Sequence, residues 1–451
     1  MVRKKGMILA LALSAFFAPA VATGAQEIET AQTGIGRPED EIVVYRIRLD
    51  IDGNSYDWTT GAPPEKMAGG FTSPSTVASF LGFAPGDKLR PDELAERCSA
   101  ARDRLLRSGF FFGASVDLIP PQAHPERRTV LIALREGFVW RFGGGNLFAM
   151  VGQANAGGER KSWMAVAGYN YDALSWRDEL FFGLPLVLGA EARFSHNLGD
   201  GFVDGLSYSG ALELGWRFHP DLLVSATADA AWHDYRGGSA IGAFAGAEDG
   251  LYATAGAGFR WDSWRSGESA SLRLIADNRA ALAFATARPT MADTAPLPLV
   301  WGKNSAAFGI GAFVAAAQVA YGHAFAAGSP VDYAFLWDLW STQDIGVRSG
   351  WRHLDLMTDS FALGKLELRY LVAKIPFSPI IALSIEPFAF VDAALASLSG
   401  SAAGGGYEFF DALGGGLRLG LDNPVFAYFT FAYGLNRRGE ARFTMAGGAG
   451  F

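Results

Sequence analysis

A single cysteine, Cys98, stands in a chain of 451 residues, so no intrachain disulfide framework holds it. Charge is scarce as well: Asp, Glu, Lys and Arg make up 19% of the sequence and sum to −8. Nucleic-acid binding rests on clustered Lys and Arg that neutralise phosphates, and this balance excludes it. The six histidines (124, 196, 219, 233, 323 and 353) fall at no zinc-ligand spacing. Neither a Gly-x-Ser-x-Gly elbow nor a Gly-Lys-Ser/Thr phosphate loop occurs. No helix pattern follows Gly143-Gly144-Gly145, so that run reads as a flexible junction, not a phosphate cradle. These absences point away from an enzyme and imply no cofactor and no metal. Only a Ser/His pair without a linear motif, such as His233 with a nearby serine, stays open as a hydrolase.

Long apolar runs are also missing where a membrane anchor would need one. Arg3, Lys4 and Lys5 precede an apolar stretch from Met7 to Ala18. About 12 apolar residues are too few for a spanning helix, which needs ~20. Small residues follow at cleavage spacing, as Ala20-Val21-Ala22 or Thr23-Gly24-Ala25. This is the layout of a secretory signal peptide, placed at residues 1–25 and followed by a linker over 26–40.

What the chain has in quantity is glycine and aromatics: 56 Gly, 12 Trp, 13 Tyr and 34 Phe. Beyond residue 138 the apolar residues recur at period two, in segments separated by Gly, Asp, Asn and Pro. Tyr208, Leu212, Leu214, Trp216 and Phe218 share one face of 207–218; Ser207, Ser209, Glu213 and Arg217 share the other. After His219-Pro220-Asp221 the pattern repeats over 222–233. It returns at 409–421, where Leu413, Leu417 and Leu419 oppose Gly414, Gly416, Arg418 and Gly420. Aromatics near the ends of the apolar faces suit the girdles of a membrane barrel, and the small or polar faces suit its lumen. The chain ends on Phe451, directly after an amphipathic strand holding Phe443 and Met445. Lipid tolerates a sheet only if it closes on itself. The expectation is a transmembrane barrel over 138–451 with roughly 16 antiparallel strands of ~10 residues each. The segment 305–322 is nearly continuous apolar; its glycines and flanking strands favour a strand over a spanning helix.

Residues 41–137 read as a separate α+β module of order β-α-α-β-β. A strand over 42–51 places Val43, Tyr45, Ile47 and Leu49 on one face, and an irregular stretch over 53–75 follows. A short helix from Pro74 ends at Gly82. A second opens at Pro91, keeps Leu94, Cys98, Ala101, Leu105 and Leu106 at helical spacing, and is capped at Gly109. Strands over 111–119 and 129–136 close the module.

Pro85-Gly86-Asp87-Lys88-Leu89, Leu105-Leu106-Arg107-Ser108-Gly109-Phe110-Phe111 and the closing Val130–Gly137 together resemble a POTRA domain. Such domains precede the barrel in the BamA/TamA (bacterial surface antigen) superfamily. The resemblance extends to Ile345–Trp351, which is similar to that family's Val/Leu-Arg-Gly-aromatic loop motif, with Ser349 standing before Gly350. Gly364–Tyr370 and Pro387–Ala393 resemble the strands that come after it. The resemblance implies an outer-membrane protein with its module in the periplasm. It implies a loop arginine, Arg348, that folds into the lumen to meet Glu367 and Asp392, with Val347, Ser349, Gly350 and Trp351 around it. Glu367 alternates with Leu366 and Leu368 and so faces the lumen, whereas Asp392 shares parity with Phe388 and Phe390, which requires a bulge or lumenal aromatics. The resemblance further implies a seam between first and last strands, softened at Gly447 and Gly448 and bounded by Phe443 and Phe451. Its clients are unfolded outer-membrane or exported polypeptides; its other partners are the lipid bilayer and accessory lipoproteins or periplasmic proteins. A passive pore and a structural surface barrel without transport are the alternatives.

Overall fold

The structure is a computed structural model. It describes residues 41–64, 72–108, 110–119, 124, 126–137, 140–145, 148–168, 171–195, 204–237, 249–266, 270–285, 296–325, 335, 337–339, 347–348, 351, 357–378, 381–397, 406–422 and 427–449. The stretches expected to be a signal peptide (1–25) and a linker (26–40), with Gly109, Ser349, Gly350 and Phe451, lie outside the described residues.

The module is a mixed sheet backed by two helices. Strand β1 (Ile42–Ile51) turns through Asp52-Gly53 into β2 (Asn54–Trp58). Helix α1 (Pro74–Leu81), β3 (Lys88–Leu89), helix α2 (Pro91–Arg107), β4 (Phe111–Ile119) and β5 (Arg127–Glu136) follow. The sheet order is β2-β1-β5-β4, with β1 and β5 parallel and β3 paired to the start of β1. The stretch expected to be irregular therefore contains a strand: Asp52 (φ 48°) and Gly53 (φ 84°) adopt the left-handed backbone a tight hairpin needs. The face expected for β1 is corrected too. A bulge between Val44 and Arg46 puts Val44 in the core and leaves Tyr45 exposed. Ser73 caps α1 by accepting from the Thr76 N–H at 3.2 Å, and Gly82 (φ 74°) ends it. In α2, Leu94, Cys98, Ala101 and Leu105 are buried among Ile47, Leu49 and Ile132. Leu106 is exposed from that core, because its position turns toward the barrel interior.

The rest of the described chain closes into a barrel. Its strands are β6 (Trp140–Gly145), β7 (Phe148–Ala156), β8 (Lys161–Gly168), β9 (Tyr171–Asp178), β10 (Leu186–Ser195), β11 (Asp204–His219), β12 (Leu222–Gly237) and β13 (Gly250–Ser266). They continue as β14 (Ala270–Ala285), β15 (Leu297–Ile310) and β16 (Phe313–Ala324). A long loop then carries a two-residue ribbon, β17 (Trp337–Asp338) with β18 (Met357–Thr358). The wall resumes with β19 (Ser360–Tyr370), β20 (Ala373–Ser378), β21 (Ile381–Ser397), β22 (Tyr407–Asp422), β23 (Ala427–Leu435) and β24 (Ala441–Ala449). Both β19 and β20 run along β21, so they are two stretches of one wall strand interrupted at Leu371-Val372, and the antiparallel barrel has 16 strands. Strand β24 pairs with β6 to close it.

Leu212, Leu214, Leu366, Leu368, Leu413 and Phe443 point outward and are exposed. Their partners in alternation, such as Arg217, Glu213 and Glu367, point into the lumen, the alternation expected of a barrel with lipid outside and water inside. No helix among the described residues is long and apolar enough to cross a membrane. The apolar segment 305–322 is neither one strand nor a helix. It is a hairpin, with β15 and β16 joined at Gly311 (φ 56°), and it places Phe308, Ile310 and Phe313 outward.

Candidate functional site

Arg348 enters the barrel from the loop between β16 and β19, and both acids proposed for it line the wall beside it. Its Nε donates to Asp392 Oδ2 at 2.9 Å and its Nη2 to Asp392 Oδ1 at 2.8 Å. Its backbone N–H reaches the same carboxylate at 3.0 Å, and its Nη1 donates to Glu367 Oε2 at 2.7 Å. This is the planar fork of a guanidinium matched to carboxylates, which an ammonium does not reproduce. Arg369 holds the other oxygen of Glu367. Arg348 is 9% exposed and Asp392 is 0% exposed, so solvent screens this ion pair little.

The parity of Asp392 is explained by lumenal aromatics and not by a bulge. Phe388 and Phe390 point inward with it, and the guanidinium carbon lies 3.8 Å from the centre of the Phe390 ring. Glycines on β22 make room for those rings. A Cβ at Gly414 would lie 2.7 Å from Phe390 Cζ, and one at Gly416 would lie 2.6 Å from Phe388 Cζ. Val347 is buried and donates its N–H to the Leu339 carbonyl at 2.8 Å, tying the loop to itself. Trp351 donates Nε1–H to the Asp411 carbonyl at 2.9 Å and meets Phe410 edge-on at 5.1 Å.

Sequence reasoning misses Gly434 on β23. A Cβ there would overlap the Arg348 carbonyl oxygen, so the loop rests directly on that strand's backbone. No linear signal marks it, since Tyr433-Gly434-Leu435 reads like any glycine in a strand. The sequence also leaves Arg438 unmarked; its guanidinium sits 4.5 Å above the Trp351 ring.

A chamber of about 1470 Å³ fills the barrel interior. Phe335 and Trp337 of the loop and Phe80, Arg104 and Leu106 of the module are among the residues that line it. Ion pairs run along its wall: Arg177 with Glu213, Arg217 with Glu179 (3.1 Å) and Arg273 with Asp262 (3.0 Å). Among the described residues no group of His, Cys, Asp or Glu is placed to hold a metal ion.

The module meets the barrel at the β7–β8 turn. The Ser73 N–H and the Thr76 hydroxyl both donate to the Gly158 carbonyl, at 2.9 and 2.8 Å. Asn155 Nδ2 donates to Thr72 Oγ1 at 3.0 Å. Arg160, buried, donates Nη1 to Ser79 Oγ at 2.8 Å, lies 4.3 Å over the Phe80 ring and pairs with Glu179. Burial alone would lift the Glu179 carboxyl, but Arg160, Arg217 and Arg177 outweigh it and hold that group below the usual carboxylate range.

At the closing pair, β6 has six residues and β24 has nine, against 17 in β13 and β21. Gly447 and Gly448 of β24 pair with Phe429 and Tyr428 of β23.

With this geometry in view, the solved barrel of CdiB from Escherichia coli is similar over 83% of this chain and 72% of its own, at TM-score 0.53 and 10% identity. The chain shares its fold with CdiB. CdiB from Acinetobacter baumannii is similar over 88% of this chain and 75% of its own, at TM-score 0.50 and 14% identity. BamA from Haemophilus ducreyi lacking POTRA domains 1–3 covers 91% of this chain and 85% of its own, with 15% identity and TM-score 0.45. No family model matches the sequence. Among curated proteins, a guanylate kinase from Granulibacter bethesdensis is 30% identical over 89 residues, 20% of this chain. The chain spans less than half (42%) of that kinase, and it lacks the Gly-Lys-Ser/Thr phosphate loop.

Proposed function

We propose that this chain is an outer-membrane barrel that inserts or translocates polypeptide clients, with residues 41–137 as a POTRA-like periplasmic domain and 138–451 as the barrel. The observation that carries the reading is the Arg348 clamp: a long loop is drawn into a closed 16-strand barrel and fixed there by the buried carboxylate of Asp392 and the half-buried one of Glu367. Breaking a buried pair by removing one partner costs about 3–5 kcal/mol, so the loop is firmly seated. The clamp stabilises a barrel whose closing strands are its weakest. Strand β6 is short, and Gly447 and Gly448 have no side chains to pack against neighbours. When that pair parts, an unpaired strand edge is exposed that templates an incoming strand by β-augmentation.

The module supplies a second edge. Strand β2 covers one side of β1, and β4 ends the sheet on the other side with Val116 and Leu118 along it. A client strand adds there in the periplasm and is handed to the seam. A passive pore fits less well, since residues of both the loop and the module line the chamber. The partners of this reading are the polypeptide clients, the lipid bilayer and accessory lipoproteins or periplasmic proteins.

The test is to lock the seam. A disulfide between cysteines in β6 and at Thr444 in β24, formed in the full chain, is expected to abolish client assembly while the barrel stays folded. Depletion followed by a census of outer-membrane proteins identifies the client. Normal assembly through a locked seam would sink the proposal.

A further inference from the structure

The turn between β23 and β24 is prebuilt. Asn436 Oδ1 accepts from the backbone N–H groups of Arg438 and Glu440, both at 2.9 Å, and Gly439 (φ 77°) completes the turn. This arrangement carries Arg437 and Arg438 over the loop. Arg438 lies 4.5 Å above the Trp351 ring while its Nη2 donates to Glu408 Oε1 at 3.0 Å. Arg437 lies 5.7 Å from the Trp351 ring and 5.5 Å from that of Phe409, and its backbone N–H donates to Asp411 Oδ2 at 3.1 Å. Trp351 is held from beneath by the Asp411 carbonyl and the Phe410 edge. Farther down β23, the Arg348 carbonyl occupies the space that a side chain at position 434 would fill.

The loop thus touches the last hairpin at two points, one on β23 and one on the turn that leads into the seam strand β24. We propose that this hairpin is a latch on the Arg348 loop, with Trp351 as its seat and Arg438 and Gly434 as positioning residues. The hairpin swings outward only by stripping Trp351 of its cations and sliding Gly434 off the Arg348 carbonyl. Loop release and seam opening are therefore coupled, and the coupling is reciprocal: freeing either loosens the other. A client that displaces the loop in the lumen unlocks the strand it will pair with. The proposal rests on the lateral-opening reading above.

The experiment uses the full chain, in a Cys98→Ala background, reconstituted in phospholipid vesicles. Spin labels at Asp172→Cys and Glu440→Cys report the separation of the last hairpin from the early strands, and proteinase K reports loop protection. Arg438→Ala is expected to raise loop cleavage about threefold, the size of one exposed cation–π contact, and to lengthen the label separation. Arg438→Lys restores both, because an ammonium also sits on an indole face. Gly434→Ala displaces both without removing a charge. Heat-shifted electrophoretic mobility confirms that each barrel is folded, and Arg438→Ala decides the question if Gly434→Ala does not fold. Unchanged cleavage, or faster cleavage with an unmoved hairpin, overturns the latch. Client assembly through a disulfide-locked seam overturns lateral opening instead and leaves the latch measurement intact.

Discussion

Arg348 illustrates how much a single residue can carry. Its fork serves two carboxylates at once, and Asp392 has no solvent to replace it. Arg348→Ala leaves that carboxylate buried and unpaired, so a destabilisation of about 3–5 kcal/mol is expected in urea unfolding of the reconstituted barrel. Arg348→Lys keeps the charge but loses the fork, and its loss should fall between the two. A stability of Arg348→Ala within error of the native chain would mean the loop is held by something else. Arg348 and its pairing with Glu367 are legible in the sequence through the family resemblance of the loop motif, and alternation adds only that Glu367 faces the lumen. The surroundings of Asp392 are not, because Gly414 and Gly416, which admit its two aromatic neighbours, lie on another strand. Cys98 is the opposite case, a residue whose role is packing. Burial pushes its thiol up to about 11, so at pH 8 only about a thousandth is thiolate. Alkylation by iodoacetamide, followed by mass, is expected to be negligible in the folded chain and rapid in urea.

At the scale of elements, short turns decide more than strands do. The β7–β8 turn bears the module through Asn155, Gly158 and Arg160, and Glu179 anchors Arg160 from the next turn along. The Glu179 carboxyl is held below its unfolded value, so its contribution is fully present above that value. It is lost as pH falls through the lower, folded one. Docking should accordingly be insensitive between pH 6 and 8 and weaken only in strong acid, roughly below pH 4. A cross-link between Ser79→Cys and the β7–β8 turn, followed against pH, checks this. Arg160→Ala should loosen the module already at neutral pH, leaving the half-buried Glu179 without its nearest cation. The Gly157-Gly158 turn was visible as a glycine pair, but its use as a docking point was not, since Thr76 lies 82 residues away in sequence. The hairpin at Gly311 was hidden for another reason. An apolar run does not announce a reversal when both its strands present apolar faces to lipid.

At the scale of the whole molecule the barrel is uneven. Strands β11 to β15 span 14 to 17 residues each, while β6 to β9 span six to nine. Amide exchange should follow that gradient, with β6 exchanging at least about tenfold faster than β12 to β14, as local opening concentrates where fewest ladder bonds must break. Uniform protection around the wall would remove the structural basis for a weak seam.

Period-two alternation, with aromatics near the ends of the apolar faces and small or polar residues opposite them, determined that a barrel forms, because side-chain direction in a regular strand follows residue parity and lipid admits a sheet only when it is closed. Helix spacing did the same for α2, and Pro74 with Gly82 did so for the ends of α1, as local backbone preferences are set within a few residues. Only the tertiary structure decided that the loop leans on Gly434, that Arg438 covers Trp351 and that the module lines the chamber. Each of those joins groups far apart in the chain, and close approach in space leaves no periodic trace in sequence.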